Sequence, residues 1–275
     1  MTRGLAAVCL FLFSMSVSPA DAARTVPPPP PPRPAAVPLP PERPTAETVT
    51  PDSESAEKET GKAGTETKVE TNAPPAITKP TRPQLLTESD EDFAACQAVL
   101  DQLGVTYTVL DKPVTSTDPE CGIARPVSVQ EIQPGVTLQP DSRLRCATAL
   151  ALAEWVRDFV VPATERLENR GRLTAIDHGS TYVCRRRNNA KTGKLSEHSF
   201  GNAVDIMGFR FSAGSSIRIR PRQRTGKIEE SFQRAVRAAS CLNFTTVIGP
   251  GTDASHADHL HLDIKKRSGG WRLCQ

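Results

Sequence analysis

Between Arg24 and Pro44 the chain reads RTVPPPPPPRPAAVPLPPERP, a stretch that holds 11 of the 25 prolines in 275 residues. Proline has no backbone N–H and a fixed φ, so this run makes neither a helix interior nor a central strand, and extended polyproline is what remains to it. From Thr45 to about Pro83 the composition turns to Thr, Glu, Ser, Lys and Ala with almost no large apolar side chain. Such a segment has too little surface to bury against the entropy of ordering. Residues 23–84 are therefore expected to be a spacer, extended at about 3.1 Å per residue in its polyproline part. Any fold must be built by residues 85–275.

What precedes the spacer bears on the compartment. Arg3, the apolar run LAAVCLFLFSMSV and the small-residue pattern ADA before Ala23 read as a secretory signal peptide, residues 1–22, cut after Ala22. Acylation at Cys9 is disfavoured because that residue stands at the start of the apolar run, after Val8; an uncleaved anchor is the other alternative. Export implies a periplasmic or wall-associated chain, with no stable membrane span after cleavage. There the remaining cysteines, Cys96, Cys121, Cys146, Cys184, Cys241 and Cys274, none in a C-x-x-C pair, suit disulfides better than a thiolate metal site. Their pairing stays open, though Cys274 is placed to tie down the C-terminus. The formal charge of +3 comes with no long basic block and excludes a nucleic-acid footprint. Arg185–Arg187 and the run RIRPRQR from Arg218 to Arg224 are local exceptions, solvated faces or contacts for an anionic wall polymer.

Hydrophobic periodicity predicts a helix over SDEDFAACQAVLDQLG, with Ser89 as N-cap, Phe93, Cys96, Val99, Leu100 and Leu103 on one face and Gly104 as the stop. VTYTVL reads as a strand. The longest helix is expected over DSRLRCATALALAEWVRDFVVPATERL, capped by Asp141 and kinked or shortened at Pro162. Further strands are expected at STYVCR, AVDIMGF, SIRIR, TTVIG and HLHLDI, and a last helix from about Lys227 to Ser240. The expected class is α+β, one monomeric domain with a small antiparallel sheet and flanking helices.

Chemistry concentrates in two stretches. LSEHSFGNAVDIMGF carries His198 and Asp205, with Gly201 and Ala203 leaving room for close backbone approach. On a strand, Ala203, Asp205 and Met207 share one face while Val204 and Ile206 face a core. SHADHLHLDI carries His256, His259 and His261, three of the five histidines, and strand alternation puts His259, His261 and Asp263 opposite Leu260, Leu262 and Ile264. Two such polar strand faces across a cleft suit a catalytic zinc, which takes three N/O ligands and leaves a position for water. Imidazoles not used as ligands can move protons near neutral pH.

The pattern S-x-H-x-x-G-x-A-x-D in SEHSFGNAVD, followed by H-x-H, resembles the LAS metallopeptidases, named for lysostaphin, D-Ala-D-Ala peptidases and sonic hedgehog, and HADHLH is similar to murein endopeptidases. STYVCRRRN, LSEHSFGNAVDI, FTTVIGPG and HADHLHLDI most resemble the bacterial extensin-like C-terminal domain, over about Asp92 to Cys274. That resemblance implies one zinc held by His198, Asp205 and His261. It implies His259 as general base or transition-state stabiliser, with His256 and Asp258 as further catalytic candidates. Asp258 stands where the carboxypeptidase branch has a glutamate, one methylene longer. Arg185 is the implied substrate-binding residue, ahead of Arg186. The implied activity is hydrolysis of peptide bonds in peptidoglycan stem peptides or cross-links. The rival readings are a zinc-containing binding module and a wall-structural protein whose proline-rich arm is the working part. His178, isolated in AIDHGS, reads as structural, Glu197 as a surface or supporting residue, and Ser196 as a hydrogen-bond support for a ligand.

Overall fold

A computed structural model describes residues 79–275. The expected signal peptide and all but the last residues of the expected spacer lie outside the described residues. The first described element, α1 (Arg82–Leu85), starts within the final residues assigned to the spacer. Helix α2 (Asp90–Gln102) follows as the periodicity predicts: Ser89 Oγ accepts the Asp92 N–H at 3.0 Å, Phe93 and Leu100 are buried, and Gly104 takes φ +70° just past the end. Among the described residues no helix is long and apolar enough to cross a membrane.

The class is α+β, but the sheet is neither small nor wholly antiparallel. Nine strands of the described chain form it: β1 (Thr106–Val109), β4 (Pro126–Gln133), β5 (Val136–Arg145), β6 (Leu173–Ser180), β7 (Ala203–Phe211), β8 (Ile217–Arg218), β9 (Thr246–Ile248), β10 (Leu260–Asp263) and β11 (Leu273–Cys274). Their order is β1-β4-β5-β6-β7-β10-β9-β11, with β8 attached to β7. The pairs β5/β6 and β9/β11 are parallel. A separate two-stranded ladder joins β2 (Val114–Thr115) to β3 (Gly122–Ile123).

The parallel pair explains the largest departure from expectation. Parallel neighbours need a crossover between them, usually a helix, and α3 (Cys146–Trp155) supplies it. The predicted helix capped at Asp141 therefore begins four residues late, with its cap at Arg145. Residues 136–145 are strand β5, where Leu138, Ser142 and Leu144 are buried, and Arg145 in extended conformation is the N-cap of α3. Helix α3 ends before Pro162, passing through a π-helical turn at Val156–Val160 directly into α4 (Val161–Thr164), which carries Pro162 as its second residue. STYVCR likewise departs from the strand expected of it: only Ser180 belongs to β6, and the rest is a loop.

On the apolar side the sheet packs against α2, α3 and α5 (Ile228–Ser240). Trp155 is fully buried between Phe209 and Phe244, ring centroids 6.4 and 6.5 Å away, and donates Nε1–H to the Val236 carbonyl at 2.9 Å. The cysteines pair as Cys96–Cys146, Cys121–Cys184 and Cys241–Cys274. The last holds the C-terminal strand β11 to the end of α5, as a terminal cysteine suggests.

Candidate metal centre

The site is built on the β7/β10 pair, whose register sets His261 directly opposite Asp205. His198 arrives from a 3-10 turn, Glu197–Phe200, that ends at Gly201 in the left-handed region at φ +67°. A Cβ at Gly201 would lie 2.4 Å from Ile123 Cδ1 and 3.1 Å from the Arg145 N–H nitrogen. Only glycine lets the turn close there and drop His198 onto the start of β7.

Three ligand-type atoms converge. His198 Nε2 lies 3.1 Å from Asp205 Oδ1, His261 Nδ1 lies 3.0 Å from the same oxygen, and the two nitrogens are 3.1 Å apart. Their outward atoms are committed elsewhere: His198 Nδ1–H donates to the Thr181 carbonyl at 2.8 Å and His261 Nε2–H to Asp263 Oδ2 at 3.2 Å. With those protons outward, each ring presents a lone pair inward, the arrangement that prepares histidine for a metal. Ligands about 2.05 Å from a tetrahedral ion stand about 3.3 Å apart, close to the observed triangle. The donor set fits a metal ion of nitrogen and oxygen preference, and these three residues form one of two such groups among the described residues. The other, Asp118 with Cys121 and Cys184, has both sulfurs in a disulfide and offers no thiolate.

The electrostatics of the metal-free cluster fit the same account. Burial pushes the Asp205 carboxyl up, but hydrogen bonds from His198 and His261 outweigh it and hold the group well below the usual carboxylate range. Burial pushes His261 down, yet Asp205 and Asp263 raise it to about 9. A proton thus sits where a cation would.

His259 lies just before β10, with Nε2 3.6 Å from Asp205 Oδ1, while its Nδ1–H donates to Asp258 Oδ1 at 2.9 Å. Asp258 is largely exposed and meets the centre through its bond to His259. His256 packs its ring 5.2 Å from that of His259 and 5.8 Å from that of His261. Asp253, which sequence reasoning missed, accepts both the His256 backbone N–H and Nδ1–H, at 3.1 and 2.7 Å; an aspartate three residues ahead of a histidine was the cap signal available.

Arg185 places Nη2 3.6 Å from Asp205 Oδ2, and its backbone is pinned to the His198 turn through Ser199 Oγ and the Ser196 N–H. Arg186 turns away to the Gly193 carbonyl. The hydroxyl that supports a ligand is Ser180 Oγ, donating to Asp205 Oδ2 at 2.7 Å, where Ser196 had been expected. Ser180 reaches this place because β6 and β7 shift register on either side of His178, which brings Ser180 opposite Asp205; nothing in a single strand's sequence marks such a bulge. His178 itself is buried and donates Nε2–H to the Pro140 carbonyl, and burial pushes its pKa down. Glu197 is buried, accepting from Asn202 Nδ2 at 2.9 Å, with Lys265 Nζ 3.4 Å from its other oxygen.

A cleft over the centre is lined by Arg185, His256, His261, Asp263, Lys265 and Arg267, among others. No curated protein and no solved structure matches the chain. Residues 94–275, which contain every side chain of the centre and all six paired cysteines, match the family described as extensin-like protein C-terminus, and the chain belongs to that family.

Proposed function

We propose that this chain is a zinc peptidase of LAS type that hydrolyses peptide bonds in peptidoglycan stem peptides or cross-links, working in the periplasm or at the wall after export. The observation that carries the reading is the triangle of His198 Nε2, Asp205 Oδ1 and His261 Nδ1, with His259 Nε2 beside it at 3.6 Å. His198, Asp205 and His261 would hold the ion; when bound, zinc supplies a Lewis acid for a scissile carbonyl and a water of lowered pKa. His259 does the proton work: with Nδ1–H committed to Asp258, Nε2 is the basic nitrogen, taking a proton from the attacking water and returning it to the leaving amine. Arg185, within 3.6 Å of Asp205 and lining the cleft, orients the substrate carbonyl and stabilises its developing charge.

The test is metal content together with muropeptide cleavage for the parent, His261→Ala and His259→Ala. The reading expects about one zinc per parent chain, lost with His261→Ala and kept with His259→Ala, and cleavage lost in both. Zinc bound without cleavage by the parent would overturn the peptidase and leave a peptidoglycan-binding module.

A further inference from the structure

The cleft over the metal centre carries more positive charge than its own acids answer. Glu197 and Asp263 line it, but Glu197 is taken by Asn202 and Lys265, and Asp263 accepts from His261 and the Lys265 N–H. Arg187 and Arg267 line it too, and among the described residues neither has a carboxylate within ion-pair distance. Arg267 is nevertheless held in place. Its Nη1 donates to the Thr245 carbonyl at 2.9 Å, its Nη2 to Thr246 Oγ1 at 2.6 Å, and the guanidinium lies 4.8 Å over the Trp271 ring. Two of five N–H groups are used and three remain, on a side chain that has already given up its rotamer freedom.

Both arginines stand on segments clamped by disulfides. Arg187 follows Cys184, bonded to Cys121; the chain beyond Arg267 is anchored by Cys241–Cys274 and by β11 pairing with β9. Arg267 is a partly buried cation held without a carboxylate partner among the described residues, which weakens the free protein, and a bound anion offsets that cost; Arg187 is exposed and adds its charge at the rim of the cleft.

We propose that Arg187 and Arg267 are a carboxylate-recognition pair, so that the substrate of this site is an acidic peptide with a free carboxylate near the bond presented to His259. This rests on the peptidase reading for the identity of the ligand as a peptide. It is tested by binding, which does not require turnover. The full chain, zinc-loaded and separately chelator-treated, is titrated by calorimetry with a stem peptide bearing free carboxylates and with the same peptide fully amidated. The acidic form is expected to bind at least about tenfold tighter, as charge-assisted guanidinium–carboxylate bonds do, with the difference shrinking as salt is raised. The double variant Arg187→Gln, Arg267→Gln is expected to lose the preference while keeping its metal content. Arg187→Gln alone, which removes a side chain with no hydrogen bond among the described residues, is expected to lose part of it without disturbing the fold. Equal binding of the two peptides by the parent, or a preference that survives in the double variant, would overturn the proposal. Absence of cleavage by a parent that still prefers the acidic peptide would sink the peptidase and leave the recognition pair standing.

Discussion

Asp205 and Ile206 are neighbours in β7, 6% and 0% exposed, and they belong to two differently organised halves of the molecule. Ile206 lies in the apolar core with Val204, Leu260, Leu262 and Trp155. There stability comes from area removed from water, about 25 cal/mol per Å², and any side chain of similar size and shape will largely serve. Asp205 lies among His198, His261, Ser180 and Arg185, where each polar group is satisfied by the others. A buried charge has no such tolerance: removing one partner leaves the rest uncompensated. One strand thus carries a forgiving face and an exacting one.

The largest effect is expected from Asp205→Asn, which keeps size and removes charge. Zinc affinity should fall by more than about 10³-fold, about 4 kcal/mol, since an anionic oxygen ligand is lost and two imidazoles are left facing a neutral amide; metal titration with a competing chelator reads it directly. Ile206→Ala should instead cost about 3 kcal/mol in urea unfolding, while the folded fraction keeps zinc affinity within a few-fold. If Ile206→Ala loses metal as fully as Asp205→Asn does, the two faces are not separable. Ser180→Ala should weaken zinc about tenfold, the usual loss when a hydrogen bond orienting a ligand is removed, with little change in unfolding midpoint. The smallest and most diagnostic effect is in pH. In chelated protein the His261 pKa, pushed down by burial but raised more by Asp205 and Asp263, goes from 6.5 to about 9. Its contribution to stability is fully present below pH 6.5 and lost as pH rises to about 9. Unfolding midpoints of chelated protein should therefore fall across that window relative to zinc-loaded protein, and His261→Gln should flatten the slope.

The two halves also differed in how far they could be read in advance. The helices α2 and α5, the strands β7, β9 and β10, and the split of β7 and β10 into apolar and polar residues follow from local periodicity, and the structure has them. Strand alternation put Asp205 and His261 on polar faces, but it was the resemblance that implied His198, Asp205 and His261 as a set; the structure brings their ligand atoms within 3.1 Å of one another. The start of α3 was not legible. SRLR suits the first turn of an amphipathic helix as well as it suits a strand, and only the pairing of β5 with β4 and β6 decides.

By itself, then, the sequence determined the α+β class, the cysteine supply and which residue types face the cleft, since each depends on composition or on neighbours a few positions away. The tertiary structure alone decided the breadth of the mixed sheet, the pairing of the six cysteines and the meeting of Ser180 with Asp205. It also decided that, among the described residues, no carboxylate stands within ion-pair distance of Arg187 or Arg267 at the cleft. The disulfides and the Ser180–Asp205 bond join residues 25 to 63 positions apart, and their energy exists only once the fold, with its β-sheet register and bulges, has brought them together.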